Sequence, residues 1–97
     1  MPEFVLSRLA TNDLADIWSY IASDNIDAAD RFVTEVEETC LRLAVNPRLG
    51  HSRKDLTLTK VRFWPVGSYL VIYKDILPLQ IVRILSGYRD VAALLNS

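Results

Sequence analysis

The stretch from Lys60 to Asp90, KVRFWPVGSYLVIYKDILPLQIVRILSGYRD, most constrains how this chain folds. Its many Val, Ile, Tyr, Phe and Leu residues suit a pleated, half-buried surface, and turn residues divide the stretch into three segments. The predicted strands are Val61–Val66, Tyr69–Lys74 and Leu79–Leu85. Because the connections between them are short, the strands are predicted to pair antiparallel as a meander.

The third predicted strand has apolar residues at both odd and even positions, which indicates a central strand buried on two faces. One face holds Leu79, Ile81, Arg83 and Leu85, and the other holds Gln80, Val82, Ile84 and Ser86. Arg83 is therefore a cation within an apolar strand. Two interpretations stand side by side: a salt bridge to an acidic residue, or a functional cation at the centre of a concave sheet face.

The length of 97 residues predicts one domain, and the 51% hydrophobic content is typical of a globular protein. No apolar run is long enough to span a bilayer, and the N-terminus lacks the layout of a secretion signal, so a cytoplasmic protein without membrane contact is expected. The single cysteine, Cys40, excludes an internal disulfide and a cysteine-based zinc cluster. We predict no metal and no cofactor.

Charge is distributed unevenly along the chain. Residues 1–46 hold three basic and nine acidic residues, a net charge of -6, whereas residues 47–97 hold eight basic and three acidic residues, a net charge of +5. The basic half is suited to an anionic partner, either nucleic acid or an acidic protein, and ordinary solvated charge is the other interpretation. Direct nucleic-acid binding stays open, because the whole chain is slightly acidic.

The first half predicts one strand and two helices. Glu3–Arg8 is expected at a sheet edge, and Thr11-Asn12-Asp13 is expected to cap the first helix. The apolar stripe of that helix comprises Leu14, Ile17, Trp18 and Ile21, which places Trp18 in the core. The second helix is predicted to start at a cap on Asp27 and to stop at Asn46-Pro47, with Cys40 buried on its apolar stripe.

Two further segments complete the predicted order. Arg48–Thr59 lacks a clear period and is predicted to be a long loop, on which His51 is an exposed residue without an orienting partner. Val91–Leu95 is predicted to be a terminal helical turn or a strand extension. The resulting architecture is α+β with the order βααβββ, an antiparallel sheet packed on a helical hairpin.

Ordered pieces over nearly the whole chain, Phe4 to Leu95, resemble the ParE/RelE toxin superfamily of bacterial type II toxin–antitoxin systems. The pieces are Asp13–Ile21 (DLADIWSYI), Ala28–Phe32 (AADRF), Leu43 with Pro47 and Gly50, Val61–Phe63 (VRF), Tyr69–Tyr73 (YLVIY) and Val82–Asp90 (VRILSGYRD). The first two pieces are more similar to the ParE branch. Many ParE-type sequences carry a His where this chain has Ser86, which leaves the end of the last strand open as an activity determinant.

The resemblance implies a toxin of the plasmid-stabilisation type that poisons DNA gyrase by protein contact and is neutralised by a cognate ParD-like antitoxin. The alternatives are a RelE-like, ribosome-dependent mRNA endoribonuclease, and a homologue that only binds its antitoxin. A ribonuclease needs a base, an acid and cations for its charged transition state. The possible counterparts here are Arg53, Lys54, Lys60, Arg62, Arg83 and Tyr88.

Contacts with a target or antitoxin are expected at five positions near the strands and the C-terminus: Arg62, Trp64, Arg83, Tyr88 and Arg89. Trp64 is opposite in parity to Val61 and Phe63, so it is expected either to cover the outer sheet face or to await a partner. The first strand is expected to offer an edge to which an extended peptide adds as a further strand.

Overall fold

The computed structural model describes residues 3–53, 55, 60–87 and 90–95. In chain order the elements are β1 (Phe4–Leu6), α1 (Arg8–Ala22), α2 (Ile26–Val45), β2 (Arg62–Val66), β3 (Tyr69–Lys74), β4 (Leu79–Ser86) and α3 (Val91–Leu95). The predicted α+β class and the order βααβββ are confirmed, and the C-terminal segment is helical. Within the described ranges, no helix combines the length and the apolar character needed to cross a membrane.

The four strands form one sheet in the order β1-β4-β3-β2. The meander is antiparallel, as predicted, and β4 is an interior strand. The first strand lies at an edge but pairs parallel to β4, with Phe4 opposite Leu79 and Leu6 opposite Ile81, so the sheet is mixed rather than wholly antiparallel. The short-connection rule governs consecutive strands only. It gave no information on β1, whose partner lies more than seventy residues away.

A bulge in β4 breaks the strict alternation predicted for that strand. Ile72 lies opposite Arg83 but the next residue, Tyr73, lies opposite Ile81, which leaves Val82 as the extra residue. As a result Ile84 joins Leu79 and Ile81 in the helix-side core, and Leu85 lies in a second cluster. The predicted faces were therefore wrong beyond Val82, because one inserted residue reverses the parity of those that follow.

Apolar side chains fill both faces of the sheet. The helix-side core joins Ala10, Val36, Cys40 and Leu43 of the helices to residues of β2, β3 and β4. The opposite cluster comprises Val61, Phe63, Ile72, Leu85 and Val91, so α3 covers the outer face. With both faces covered, the side chains of the central strands are fixed by packing.

The cap of the first helix lies four residues before the first residue of the expected cap. Ser7 is the N-cap: its Oγ accepts a hydrogen bond from the Ala10 amide at 3.0 Å and donates one to the Val82 carbonyl oxygen at 2.7 Å. Thr11 lies within the first turn, and its hydroxyl donates back to the Ser7 carbonyl oxygen. The predicted cap at residues 11–13 was wrong, because a serine that also bonds to β4 fixes the start earlier.

Two further predictions about the helices need correction. The second helix is capped by Asn25, whose side chain accepts from the Ala28 amide at 2.9 Å, and Asp27 lies inside its first turn. Trp18 is half-buried rather than in the core, and its indole N–H donates to Asp30 Oδ1 at 2.9 Å. This hydrogen bond joins α1 to α2 near the connection between the two helices. An indole at a surface usually keeps its N–H bonded to a polar group.

Candidate functional site

Arg83 makes a two-point ion pair with Asp13 on α1. Its Nε lies 2.8 Å from Asp13 Oδ2 and its Nη2 lies 2.9 Å from Oδ1, and only 15% and 12% of the two side chains are exposed. Asp13 Oδ2 also accepts the Ile84 amide at 3.0 Å, just beyond the bulge. The hydrogen bond to Asp13 raises the pKa of the Arg83 guanidinium. Arg83 thus adopts the salt-bridged arrangement, the first of the two interpretations.

Arg62 lies on β2, the strand at the edge of the sheet opposite to β1. Its Nε lies 2.9 Å from Asp75 Oδ2, and its Nη1 donates to the Gly50 carbonyl oxygen at 2.9 Å. Arg62 and Arg83 lie on β2 and β4, which β3 separates by about 10 Å at ordinary strand spacing. Each guanidinium therefore has its own carboxylate, and the two cations do not converge on one point.

The loop after α2 is anchored to the sheet by Tyr73. The Tyr73 hydroxyl accepts from the Gly50 amide at 2.7 Å and donates to the Pro47 carbonyl oxygen at 2.7 Å, and the residue is wholly buried. Burial raises the pKa of this phenol. Gly50 is required here, because a Cβ at this position would lie only 2.7 Å from Tyr73 Cε1. The loop thus starts from a fixed point beside Arg62.

The remaining candidates for ribonuclease chemistry lie apart. Arg53 is exposed and pairs with Asp55 through hydrogen bonds of 3.0 and 2.8 Å, and Lys60 is exposed before β2. The hydrogen bond from Arg53 lowers the pKa of Asp55. Lys54, Tyr88 and Arg89 lie outside the described residues. Within the described part, the candidate cations do not assemble around a shared cavity.

Trp64 lies on the helix-side face of β2, where it packs against the core, so it does not cover the outer face of the sheet. Its indole stacks on the imidazole of His51, with ring centroids 6.2 Å apart and planes inclined by 9°. His51 is exposed, as expected, and its backbone forms an isolated antiparallel bridge with Phe63. The long loop therefore adds a short strand-like segment beside β2.

Cys40 is completely buried on the apolar face of α2, as predicted. Burial, reinforced by the nearby Glu37 carboxylate, raises the pKa of its thiol to about 12. A thiol in this state is protonated and inert. Among the described residues, no group of three or more His, Cys, Asp or Glu side chains is placed to hold a metal ion.

A groove of about 480 Å³ opens between α1 and the ends of β3 and β4. One wall is a single stripe of α1 formed by Asp13, Asp16, Ile17 and Tyr20. The sheet side is formed by Ser68, Tyr69, Ile84 and Ser86. This volume falls within the range of ordinary ligand and peptide pockets. The groove combines an apolar floor with carboxylate, phenol and hydroxyl groups at its walls.

Sequence reasoning missed three features of this region. Asp13 was assigned to a helix cap, whereas it is the partner of Arg83, and Asp75 was not recognised as the partner of Arg62. The groove was not anticipated, although Asp13, Asp16 and Tyr20 follow a helical spacing beside the apolar stripe. That polar stripe was the available signal.

Comparison with solved structures gives the class of fold. The "Chromosomal ParDE TA system from P. aeruginosa" matches with a TM-score of 0.71 and 21% sequence identity, covering 89% of this chain and 96% of that chain. At this identity the likeness shows the fold alone, which is a ParE-like α+β fold.

Sequence comparison then gives the family. A family model described as "ParE toxin of type II toxin-antitoxin system, parDE" matches residues 4–91. "Toxin ParE1" of Caulobacter vibrioides (strain ATCC 19089 / CIP 103742 / CB 15) is 30% identical over 86 residues, which are 88% of each chain. The chain therefore belongs to the ParE toxin family of type II toxin–antitoxin systems.

Proposed function

We propose that this ParE-family toxin poisons DNA gyrase by protein–protein contact in the cytoplasm and is neutralised by a cognate ParD-like antitoxin. Family membership supports the proposal. The observation that favours gyrase over the ribosome as the target is that three arginines form ion pairs with aspartates. Arg83 is bound to Asp13, Arg62 to Asp75, and Arg53 to Asp55.

A metal-independent ribonuclease has to present positive charge to the phosphorane formed when the 2′-hydroxyl attacks. In this chain Arg62 and Arg83 each donate to a carboxylate in a pair that is partly or largely shielded from solvent, so their charge is largely neutralised. Freeing Arg83 would also leave the mostly buried Asp13 without its partner, which is costly. These pairings favour a protein that acts by binding over one that cleaves RNA.

In this proposal Trp64, Tyr88 and Arg89 contact the target or the antitoxin, and Arg62 and Arg83 stabilise the sheet through their ion pairs. Trp64 suits the role because it is half-buried and presents an aromatic ring next to the His51 ring. A rigid aromatic surface gains contact area at low cost in side-chain entropy.

The two sheet edges differ in their capacity to bind an extended antitoxin segment. At the β2 edge, the Phe63 amide and carbonyl are bonded to His51 at 2.8 and 2.9 Å, and Pro65, two residues on, has no N–H to offer. At the β1 edge, Glu3 and Ser7 bond to β4, so the alternating residues Phe4 and Leu6 direct their amides away from the sheet. Strand addition is therefore proposed at β1.

The test is expression of the chain alone in a sensitive bacterium, with labelled thymidine and labelled methionine incorporation followed over the first minutes. We expect DNA synthesis to fall first. An early fall in protein synthesis, with cleavage of mRNA at ribosome-bound codons, contradicts the proposal and favours the ribonuclease. If neither falls while the protein is folded, the toxin is inactive or acts elsewhere.

Purified components make the test specific. The toxin is expected to increase gyrase-dependent cleavage of supercoiled DNA, and equimolar antitoxin is expected to abolish the effect. Trp64→Ala is expected to weaken poisoning. Lys74→Gln serves as the matched control, because Lys74 is an exposed residue at the end of β3 outside the proposed contact set.

A further inference from the structure

The groove between α1 and the sheet has the chemistry of a receptor for a basic side chain. Its floor is apolar, with Ile17 9% exposed and Ile84 1% exposed. Its walls carry Asp16 and the rings of Tyr20 and Tyr69. An alkyl stem ending in a cation needs this combination: apolar surface for the methylenes, and aromatic faces or a carboxylate for the charge.

The two carboxylates of the groove are not equivalent. Asp13 is engaged, since it accepts two hydrogen bonds from Arg83 and one from the Ile84 amide. Within the described part of the chain, the exposed Asp16 carboxylate makes no hydrogen bond and no ion pair. Asp16 is therefore the negative charge that remains for a ligand.

Of the two tyrosines in the groove, one is held by a contact within the protein and the other is exposed. Tyr69 is half-buried and fixed by its contact with Phe32, with ring centroids 5.1 Å apart. Tyr20 stands one turn beyond Asp16 and is 75% exposed, an unusual exposure for a large aromatic side chain. A partner that enters the groove would bury the Tyr20 ring against its own surface.

We propose that this groove binds a lysine or arginine side chain of the antitoxin, with Asp16 as its counter-ion and Tyr20 and Tyr69 beside its alkyl stem. The inference rests on the proposed neutralisation by an antitoxin. Charge complementarity selects this occupant: the charged residues that line the groove are Asp13 and Asp16, and Asp13 is already paired with Arg83, so the charge left for a ligand is negative. An acidic segment would be repelled there, and a purely apolar one would desolvate Asp16 without compensation.

The experiment measures binding of the purified toxin to the antitoxin encoded beside it, by calorimetry at about 50 mM and about 300 mM salt. Asp16→Asn is expected to weaken binding by about tenfold and to reduce the salt dependence, because one charge-assisted contact is lost. Tyr20→Ala is expected to cause a similar loss. Asp24→Asn is the matched control, since it removes the same charge from an exposed residue just past α1 and is expected to bind like wild type.

A charge swap identifies the partner side chain. Asp16→Lys is expected to abolish binding at low salt, and one Lys→Glu or Arg→Glu substitution in the antitoxin is expected to restore it. Unchanged affinity of Asp16→Asn and Asp16→Lys, with wild-type binding intact, overturns the inference and leaves the proposed function standing. Failure of the wild-type toxin to bind the antitoxin overturns both.

Discussion

Asp13 and Arg83 are 70 residues apart in the sequence, yet their side chains meet through two hydrogen bonds of 2.8 and 2.9 Å. The same carboxylate accepts the Ile84 amide, which the β4 bulge directs towards α1. One aspartate on a helix therefore stabilises an arginine and a strand irregularity together. This contact fixes how α1 lies across the interior strand of the sheet.

Breaking this pair is expected to destabilise the fold. Arg83→Ala leaves Asp13 mostly buried and unpaired, which should cost about 3 kcal/mol in the free energy of unfolding. Urea denaturation followed by tryptophan fluorescence measures the loss. Arg83→Met combined with Asp13→Leu should recover part of it, because neither charge then remains buried. Arg53→Ala, which breaks an exposed pair, is the control and should leave stability unchanged. An Arg83→Ala variant as stable as the wild type would contradict the structural role of the ion pair.

The cap on α1 is expected to matter more than the cap on α2. Ser7→Ala removes an acceptor for the Ala10 amide and a donor to the Val82 carbonyl oxygen, so a loss of about 1.5 kcal/mol is expected. Asn25→Ala removes a single exposed cap bond and should cost about 1 kcal/mol or less. Thermal denaturation of both variants gives the ranking. The reverse order would mean that the bond from Ser7 to β4 contributes little.

How far the sequence anticipated the structure depends on the distance over which each feature is determined. The meander was predictable because alternation and turn residues such as Gly67, which has a φ of 60°, act over a few positions. The parallel pairing of β1 and the bulge at Val82 depend on contacts across the whole chain. The apolar stripe of α2, which includes Cys40, was predicted correctly because helical periodicity also acts over a few positions.

The candidate site was less predictable than the fold. Arg83 was recognised as unusual, because a lone arginine among apolar strand residues is rare, but its partner on α1 was not identified. The groove arises only when α1 packs beside the ends of β3 and β4, so no single segment encodes it. The face on which Trp64 lies could not be predicted, because alternation along a strand shows which residues share a face but not which face the helices cover.

Alkaline conditions are expected to weaken the anchor of the loop. The Tyr73 phenol has a raised pKa in the folded state, so its neutral form contributes stability fully below the ordinary phenol pKa of about 10. As the pH rises from about 10 through the folded-state pKa, the unfolded phenol ionises first and this contribution is lost. The stability difference between wild type and Tyr73→Phe should therefore shrink as the pH rises above about 10. A difference that stays constant over this range would show that the folded phenol ionises normally.

The Cys40 thiol is expected to be unreactive until the protein unfolds. With its pKa raised to about 12, roughly one molecule in ten thousand carries the thiolate at about pH 8, and the side chain is completely buried. An aromatic disulfide reagent should label the native protein only at the rate of unfolding and should label it fully in urea. The control is Cys40→Ala combined with Ser52→Cys, which moves the single thiol to an exposed loop position and should react at once. Arg83→Ala should accelerate labelling of Cys40, because a destabilised fold opens more often. Rapid labelling of the wild-type chain without urea would show that α2 separates from the sheet far more readily than its packing implies.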